Sequence, residues 1–217
     1  MQPESAEEFY ARVLAATGEE GRLAVAVEEM PGWDIFPFEI DSLRIKPLQP
    51  LADEEPPRAG EDATECSCTR PPDPARAERR VWSNERWELT LDTSMKLPIG
   101  VNLGPREHCD LPTVPDHLAG EMGRLIVAVS AGIESLPSVG RVQLAKYGDG
   151  GAHLHLFLFG RPARMLQLRG SPLLDWEENL PRLPLAVLQA NARVVAQRLL
   201  VHVGGQAGTL GRGPVPA

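Results

Sequence analysis

Residues Ala152–Phe159 read AHLHLFLF, a strict alternation that predicts an extended strand. Successive side chains of a strand point to opposite faces. Leu154, Leu156 and Leu158 therefore share one face, and His153, His155, Phe157 and Phe159 share the other. The leucine face calls for a core. The histidine face is a site if it lines a cleft and an ordinary solvent face if it does not, and an HxH pair alone leaves both readings open.

Working upstream, Arg141–Lys146 (RVQLAK) reads as a second strand, separated from the first by the glycine turn Gly148–Gly151 (GDGG). Pro115–Leu136 carries Leu118, Met122, Leu125, Ile126, Val129 and Ile133 at i, i+3, i+4 spacing, the pattern of a long amphipathic helix opened by proline. Trp87–Leu91 (WELTL) and Ile99–Leu103 (IGVNL) alternate like half-buried strands. Downstream, residues 185–201 predict a last helix, and residues 204–217 a mobile tail. Strands, helix, strands and helix predict an α+β domain over 79–203 with a mainly antiparallel sheet, a long helix and a C-terminal helix. Trp82 and Trp87 suit either the core or base stacking.

The front of the chain differs. Residues 1–65 hold 16 acidic against 5 basic side chains, although the whole 217-residue chain is only at −8. A short helix is expected over Glu4–Thr17, in an acidic segment taken as 1–46. Prolines 47, 50, 56, 57, 71, 72 and 74 mark 47–78 as a linker or wrapping loop, which carries Cys66-Ser-Cys68. Net acidity argues against a nucleic-acid polymer as partner. The longest apolar run, Leu125–Val129, is far short of a membrane span, and the acidic start does not read as a secretory signal. A cytoplasmic location without membrane attachment is expected. Three cysteines cannot pair completely, which in that compartment suits free thiols or metal ligands.

Several pieces fall in a telling order: Asp92, Pro98, an apolar strand, Pro105-x-x-His108 before the long helix, then His153-x-His155-x and Gly160. Over roughly residues 80–165 this resembles the histidine triad (HIT) superfamily, whose motif is His-φ-His-φ-His-φ-φ. Here Phe157 stands where the third histidine would be. The resemblance implies a covalent nucleotidyl-histidine on His155, with nucleotidyl transfer or hydrolysis at an α-phosphate. It implies that Asp92 binds ribose hydroxyls and that the glycine turn, at Gly150 and Gly151, approaches phosphate. The third histidine contacts the phosphate and leaving group in that family, and the uridylyltransferase branch has glutamine instead. Phenylalanine can neither donate nor accept there. Arg161, Arg164 or Gln167 could supply the missing donor, or all three could be surface residues.

The same resemblance implies structural zinc on Cys66, Cys68, His108 and His153. Relatives carry Cys-x-x-Cys, and the shorter spacing here still lets both thiols lie on one side of an extended segment. Cys109 is an alternative ligand or a small buried hydrophobe. The implied partner is a small phosphorylated nucleoside or nucleotide, with a homodimer carried over by analogy. The competing expectation is a non-catalytic, zinc-stabilised nucleotide-binding or interaction module, because of Phe157.

Overall fold

The computed structural model describes residues 11, 13–22, 38, 47, 49–71, 73–178 and 180–211. The chain divides into two compact units, Met1–Pro56 and Pro57–Ala217. Of the expected helix over Glu4–Thr17, residues 13–15 are described and helical, and its first seven residues lie outside the described ones. Every residue of the candidate site belongs to the second unit.

That unit holds helix α1 (Pro74–Glu78), strands β1 (Arg80–Ser83), β2 (Trp87–Leu91) and β3 (Ile99–Pro105), and the long helix α2 (Asp116–Glu134). Strands β4 (Val139–Ala145) and β5 (Leu156–Pro162) follow, then helices α3 (Leu173–Glu177) and α4 (Leu185–Val203) and the short β6 (Gln206–Ala207). The strands form one antiparallel sheet in the order β4-β5-β3-β2-β1-β6.

Register explains the two faces. Leu89 lies opposite Leu103, which lies opposite Leu156, and Leu91, Val101 and Leu158 make the next row. These buried rows pack with Leu118, Leu125, Val129 and Ile133 of α2 and Leu188, Val195 and Leu199 of α4 in one core. Each large aliphatic side chain so buried contributes about 1.5–3 kcal/mol. Trp82 and Trp87 are fully buried in this core, which removes them as stacking platforms. The opposite face alternates with it: Thr90, Asn102 and Phe157 share a row, and Glu88 lies opposite Gly104.

At Gly160 the flanking strands come so close that a Cβ would lie 2.8 Å from Val139 Cγ2 of β4 and 2.9 Å from Ile99 Cγ2 of β3, with Ile133 Cγ2 of α2 at 3.3 Å. Crowding fully packed methyl groups costs roughly 1–3 kcal/mol. Gly160→Ala should therefore lower unfolding stability by about that amount, read by urea denaturation; an unchanged midpoint would show that the packing around Gly160 has slack.

The sequence expectations shift in three places. The strand expected over 152–159 is hydrogen-bonded as sheet only from Leu156, because Leu154 N–H donates to the Cys109 carbonyl (2.7 Å) rather than to β3. Alternation of burial nonetheless continues back through His155, Leu154 and His153. Pro74 opens α1 behind the N-cap Asp73, where a proline costs nothing, so part of the proline-rich segment is helical. Within the expected mobile tail, Gln206–Ala207 pairs with β1 and Leu210 is buried, while residues 212–217 lie outside the described ones. No described helix is long and apolar enough to cross a membrane.

Candidate functional site

The imidazole of His155 is held by its own backbone. Its Nδ1 donates to the His153 carbonyl at 2.8 Å. A carbonyl only accepts, so the hydrogen belongs on Nδ1 and the lone pair on Nε2. His155 is half-buried and lines a cavity of about 270 Å³ whose other walls include Thr90, Asn102, Gly104 and Arg79. Asn102 Oδ1 is buried without a hydrogen-bond partner among the described residues. Gly151 stands beside the ring: a Cβ there would be 3.8 Å from His155 Cε1.

His153, two residues earlier, faces elsewhere. Its Nε2 donates to the Pro105 carbonyl at 2.8 Å, which leaves Nδ1 as an acceptor 3.4 Å from Cys66 Sγ. His108 Nδ1 lies 3.7 Å from Cys68 Sγ. The two sulfurs and one nitrogen from each imidazole all lie within 4.8 Å of one another, so these four side chains could hold a metal ion. Burial pushes the Cys68 thiol up to about 11, with the neighbouring Cys66 adding to it, and burial chiefly holds the His153 imidazole below its usual value.

The two cysteines sit on a turn, not on the extended segment expected from their spacing. Thr69 N–H donates to the Cys66 carbonyl at 3.1 Å, and Thr69 Oγ1 donates to the same carbonyl at 2.8 Å. The turn curls Cys68 back beside Cys66, which is how a one-residue spacing brings both sulfurs to one point. Gly60 permits the approach: its φ is +76°, and a Cβ there would lie 3.3 Å from Cys66 Cβ. The segment is tied to the triad loop by Ala59, whose N–H donates to Gly150 (3.2 Å) and whose carbonyl accepts from Ala152 (3.0 Å). Arg58 donates to Asp110 at 2.6 Å, and Lys146 pairs with the same carboxylate at 3.0 Å. Burial opposes ionisation of Asp110, but these two cations and the Leu111 N–H bring it down to about 2. Cys109 is a buried member of the core and lies outside the four-ligand cluster.

The other expected residues are dispersed. Asp92 caps its own turn, accepting from Ser94 N (2.9 Å) and Ser94 Oγ (2.6 Å), and β2 contributes Thr90 and Glu88 to the His155 cavity instead. Gly150 spends its carbonyl on Ala59. Arg161 lies six residues along the chain from His155, about 20 Å at strand rise. Its Nη1 donates to Pro162, so it does not fill the place left by Phe157. Gln167 is exposed in the short helix Leu166–Leu168. Phe157 meets His155 edge to face at 5.1 Å and stacks on Phe159 at 5.9 Å.

One group the motif reading overlooked is Glu88. It is almost wholly buried and accepts from Arg76 Nε and Arg80 Nε, both at 2.8 Å. The alternation of WELTL already put Glu88 and Thr90 on the face opposite the leucines, which was the available signal. Burial works to raise the Glu88 carboxyl, and the two arginine hydrogen bonds outweigh it, so the net shift is downward. A carboxylate lowered on folding stabilises above its unfolded value, near 4.3, and that contribution disappears as pH falls through the folded value. Glu88→Gln should cost about 1–3 kcal/mol at neutral pH. It should also flatten part of the stability loss below about pH 4, seen by denaturant titration; an unchanged acid limb would place that loss on other groups.

No family model matches the chain, and no curated protein matches it. Among solved structures it is similar to histidine triad proteins and to uridylyltransferase. A HIT-like protein involved in cell-cycle regulation from Bartonella henselae matches at 12% identity with a TM-score of 0.43, over 55% of this chain and 85% of that one. A Zn-bound histidine triad family protein from Mycobacterium smegmatis matches at 17% identity with a TM-score of 0.38, over 56% and 84%. A uridylyltransferase mutant matches at 18% identity with a TM-score of 0.42, over 57% of this chain and 44% of that one.

Proposed function

We propose that this protein is a divergent nucleotide-binding member of the histidine triad superfamily, with HxHxF in place of HxHxH, that transfers or hydrolyses a nucleotidyl group through His155. The observation that carries the reading is the His153 carbonyl at 2.8 Å from His155 Nδ1. It keeps the Nε2 lone pair available beside a 270 Å³ cavity with polar walls. That lone pair attacks the α-phosphorus, an N–P bond forms as the bond to the leaving group breaks, and water or an acceptor alcohol then takes the nucleotidyl group from the imidazole.

Zinc is the metal that the four-ligand cluster suits. Two thiolates and two imidazoles are a tetrahedral zinc set, and Zn–S and Zn–N bond lengths imply sulfur–nitrogen edges of about 3.6 Å. Two of the sulfur–nitrogen distances are 3.4 and 3.7 Å, and all four ligand atoms lie within 4.8 Å of one another. The Pro105 carbonyl fixes the His153 tautomer as an outer partner does. With four protein ligands the ion would be structural, holding the Cys66 turn to the strand that carries His155.

A second reading is favoured by Phe157: a zinc-stabilised module that binds nucleotide without turnover. Intact-mass spectrometry after incubation with dinucleoside polyphosphates, nucleotide sugars and nucleoside phosphoramidates separates the two. A nucleotidyl adduct supports the enzyme; ligand-induced thermal stabilisation with no adduct from any of the three supports the module.

A further inference from the structure

We propose that an arginine-lined cavity adjoining His155 binds the polyphosphate leaving group of the substrate, so that this protein takes nucleotides activated by a phosphate chain. The proposal rests on His155 as nucleophile. The cavity has a volume of about 380 Å³, and five arginines line it: Arg70, Arg76, Arg79, Arg80 and Arg106. Among the described residues two carboxylates line the same cavity, and both are engaged. Asp73 caps α1 through the Ala75 N–H, and Glu88 accepts from Arg76 and Arg80, with Arg106 Nη2 at 4.0 Å. Three guanidinium groups around one carboxylate leave an excess of positive charge. Arg76 and Arg80 bond Glu88 through Nε, and each retains donors on its terminal nitrogens. Glu88 thus acts as a buried post that holds a cationic wall in place before any ligand arrives.

This cavity is continuous in its walls with that of His155, the two sharing Ser67, Arg76, Arg79 and Glu88. A nucleotide with its α-phosphorus at His155 Nε2 would direct its next phosphates toward the arginines. The chemistry of Phe157 agrees independently. When the N–P bond forms, the electron pair of the breaking P–O bond stays on the bridging oxygen. A pyrophosphate or longer chain accepts it as a stable anion with no proton, and the guanidinium groups meet its charge. An amine or alkoxide would need a proton delivered, and the phenyl ring 5.1 Å from His155 has none to give.

The test titrates inorganic tripolyphosphate into the full chain by calorimetry at low salt, comparing wild type, His155→Asn and the double variant Arg70→Gln/Arg79→Gln. Both replaced arginines are exposed and lie outside the Glu88 ion pairs, so the fold is not at stake. Wild type and His155→Asn should bind alike, and the double variant roughly tenfold or more weakly. Equal affinity in the double variant, or no wild-type binding up to about 1 mM, overturns the proposal. A second arm compares labelling of His155 by a dinucleoside polyphosphate and by a nucleoside phosphoramidate. Labelling at least roughly tenfold faster from the polyphosphate is expected, and parity overturns the leaving-group role. Tripolyphosphate binding without any His155 adduct would instead sink the nucleotidyl-transfer reading and leave the cavity as an anion site.

Discussion

His155→Asn should abolish the nucleotidyl adduct and reduce turnover of a nucleotide substrate on the order of 10⁴-fold, while leaving thermal stability within a few degrees. Asparagine roughly matches the imidazole in reach and can still donate toward the His153 carbonyl, which in the wild type holds Nδ1 at 2.8 Å. What it lacks is a basic lone pair aimed into the cavity. An effect confined to the chemical step shows as lost kcat with little change in nucleotide affinity. A variant that keeps turnover would exclude His155 as nucleophile. Phe157→His supplies the complementary arm. It introduces a proton donor where the ring now meets His155 edge to face, so labelling from phosphoramidates should rise relative to labelling from polyphosphates. If wild type shows neither turnover nor adduct and Phe157→His gains none, the non-catalytic reading stands.

The sequence pattern carried the sheet and its faces further than it carried the site. Alternation in AHLHLFLF, WELTL and IGVNL is local and depends only on strand geometry, so it placed the leucine rows in the core and the histidines opposite them. Long periodicity did the same for α2. The site needed non-local facts. Which residue of β2 lies near His155 depends on cross-strand register, and that register puts Thr90 and Asn102 in the row of Phe157. Asp92, in the family's expected place by order alone, falls past the end of β2 and caps a turn. Arg161 looked close in sequence because strands are long in space: six residues carry it about 20 Å away. The Cys66 turn was hidden by its prolines, which predict irregularity without saying what an irregular segment touches. Its partner, the loop at Gly150–Ala152, lies some ninety positions further on. Glu88 was the least legible, because its significance lies in Arg76 and Arg80, brought to it by a short helix and the neighbouring strand β1.

Removing the metal should produce the largest change in stability. The purified protein should carry close to one zinc per chain, and Cys66→Ser/Cys68→Ser should carry almost none by elemental analysis. The ion's contribution will be smaller than the roughly 10–16 kcal/mol typical of zinc-finger peptides, because here the antiparallel sheet and its core already bring His108 and His153 together. What depends on the metal is the segment from Arg58 to Thr69. Its remaining ties among the described residues include the Ala59 bonds to Gly150 and Ala152, the Arg58–Asp110 pair and the Arg58 donation to the Gly148 carbonyl. A loss of about 3–5 kcal/mol is expected, and with roughly 2–4 °C per kcal/mol in a domain of this size the melting temperature should fall on the order of 10 °C. Hydrogen exchange should locate the change: faster exchange at Cys66, Thr69 and Ala152, with β2 and β3 protected as before. The damage should then pass to His155, since His153 supplies both a metal-site nitrogen and the carbonyl that fixes the His155 tautomer. Chelation should therefore slow labelling of His155 even where the sheet survives. If the double serine variant keeps the melting temperature and exchange pattern of wild type, Cys66 and Cys68 are free thiols on a loop held by its hydrogen bonds alone.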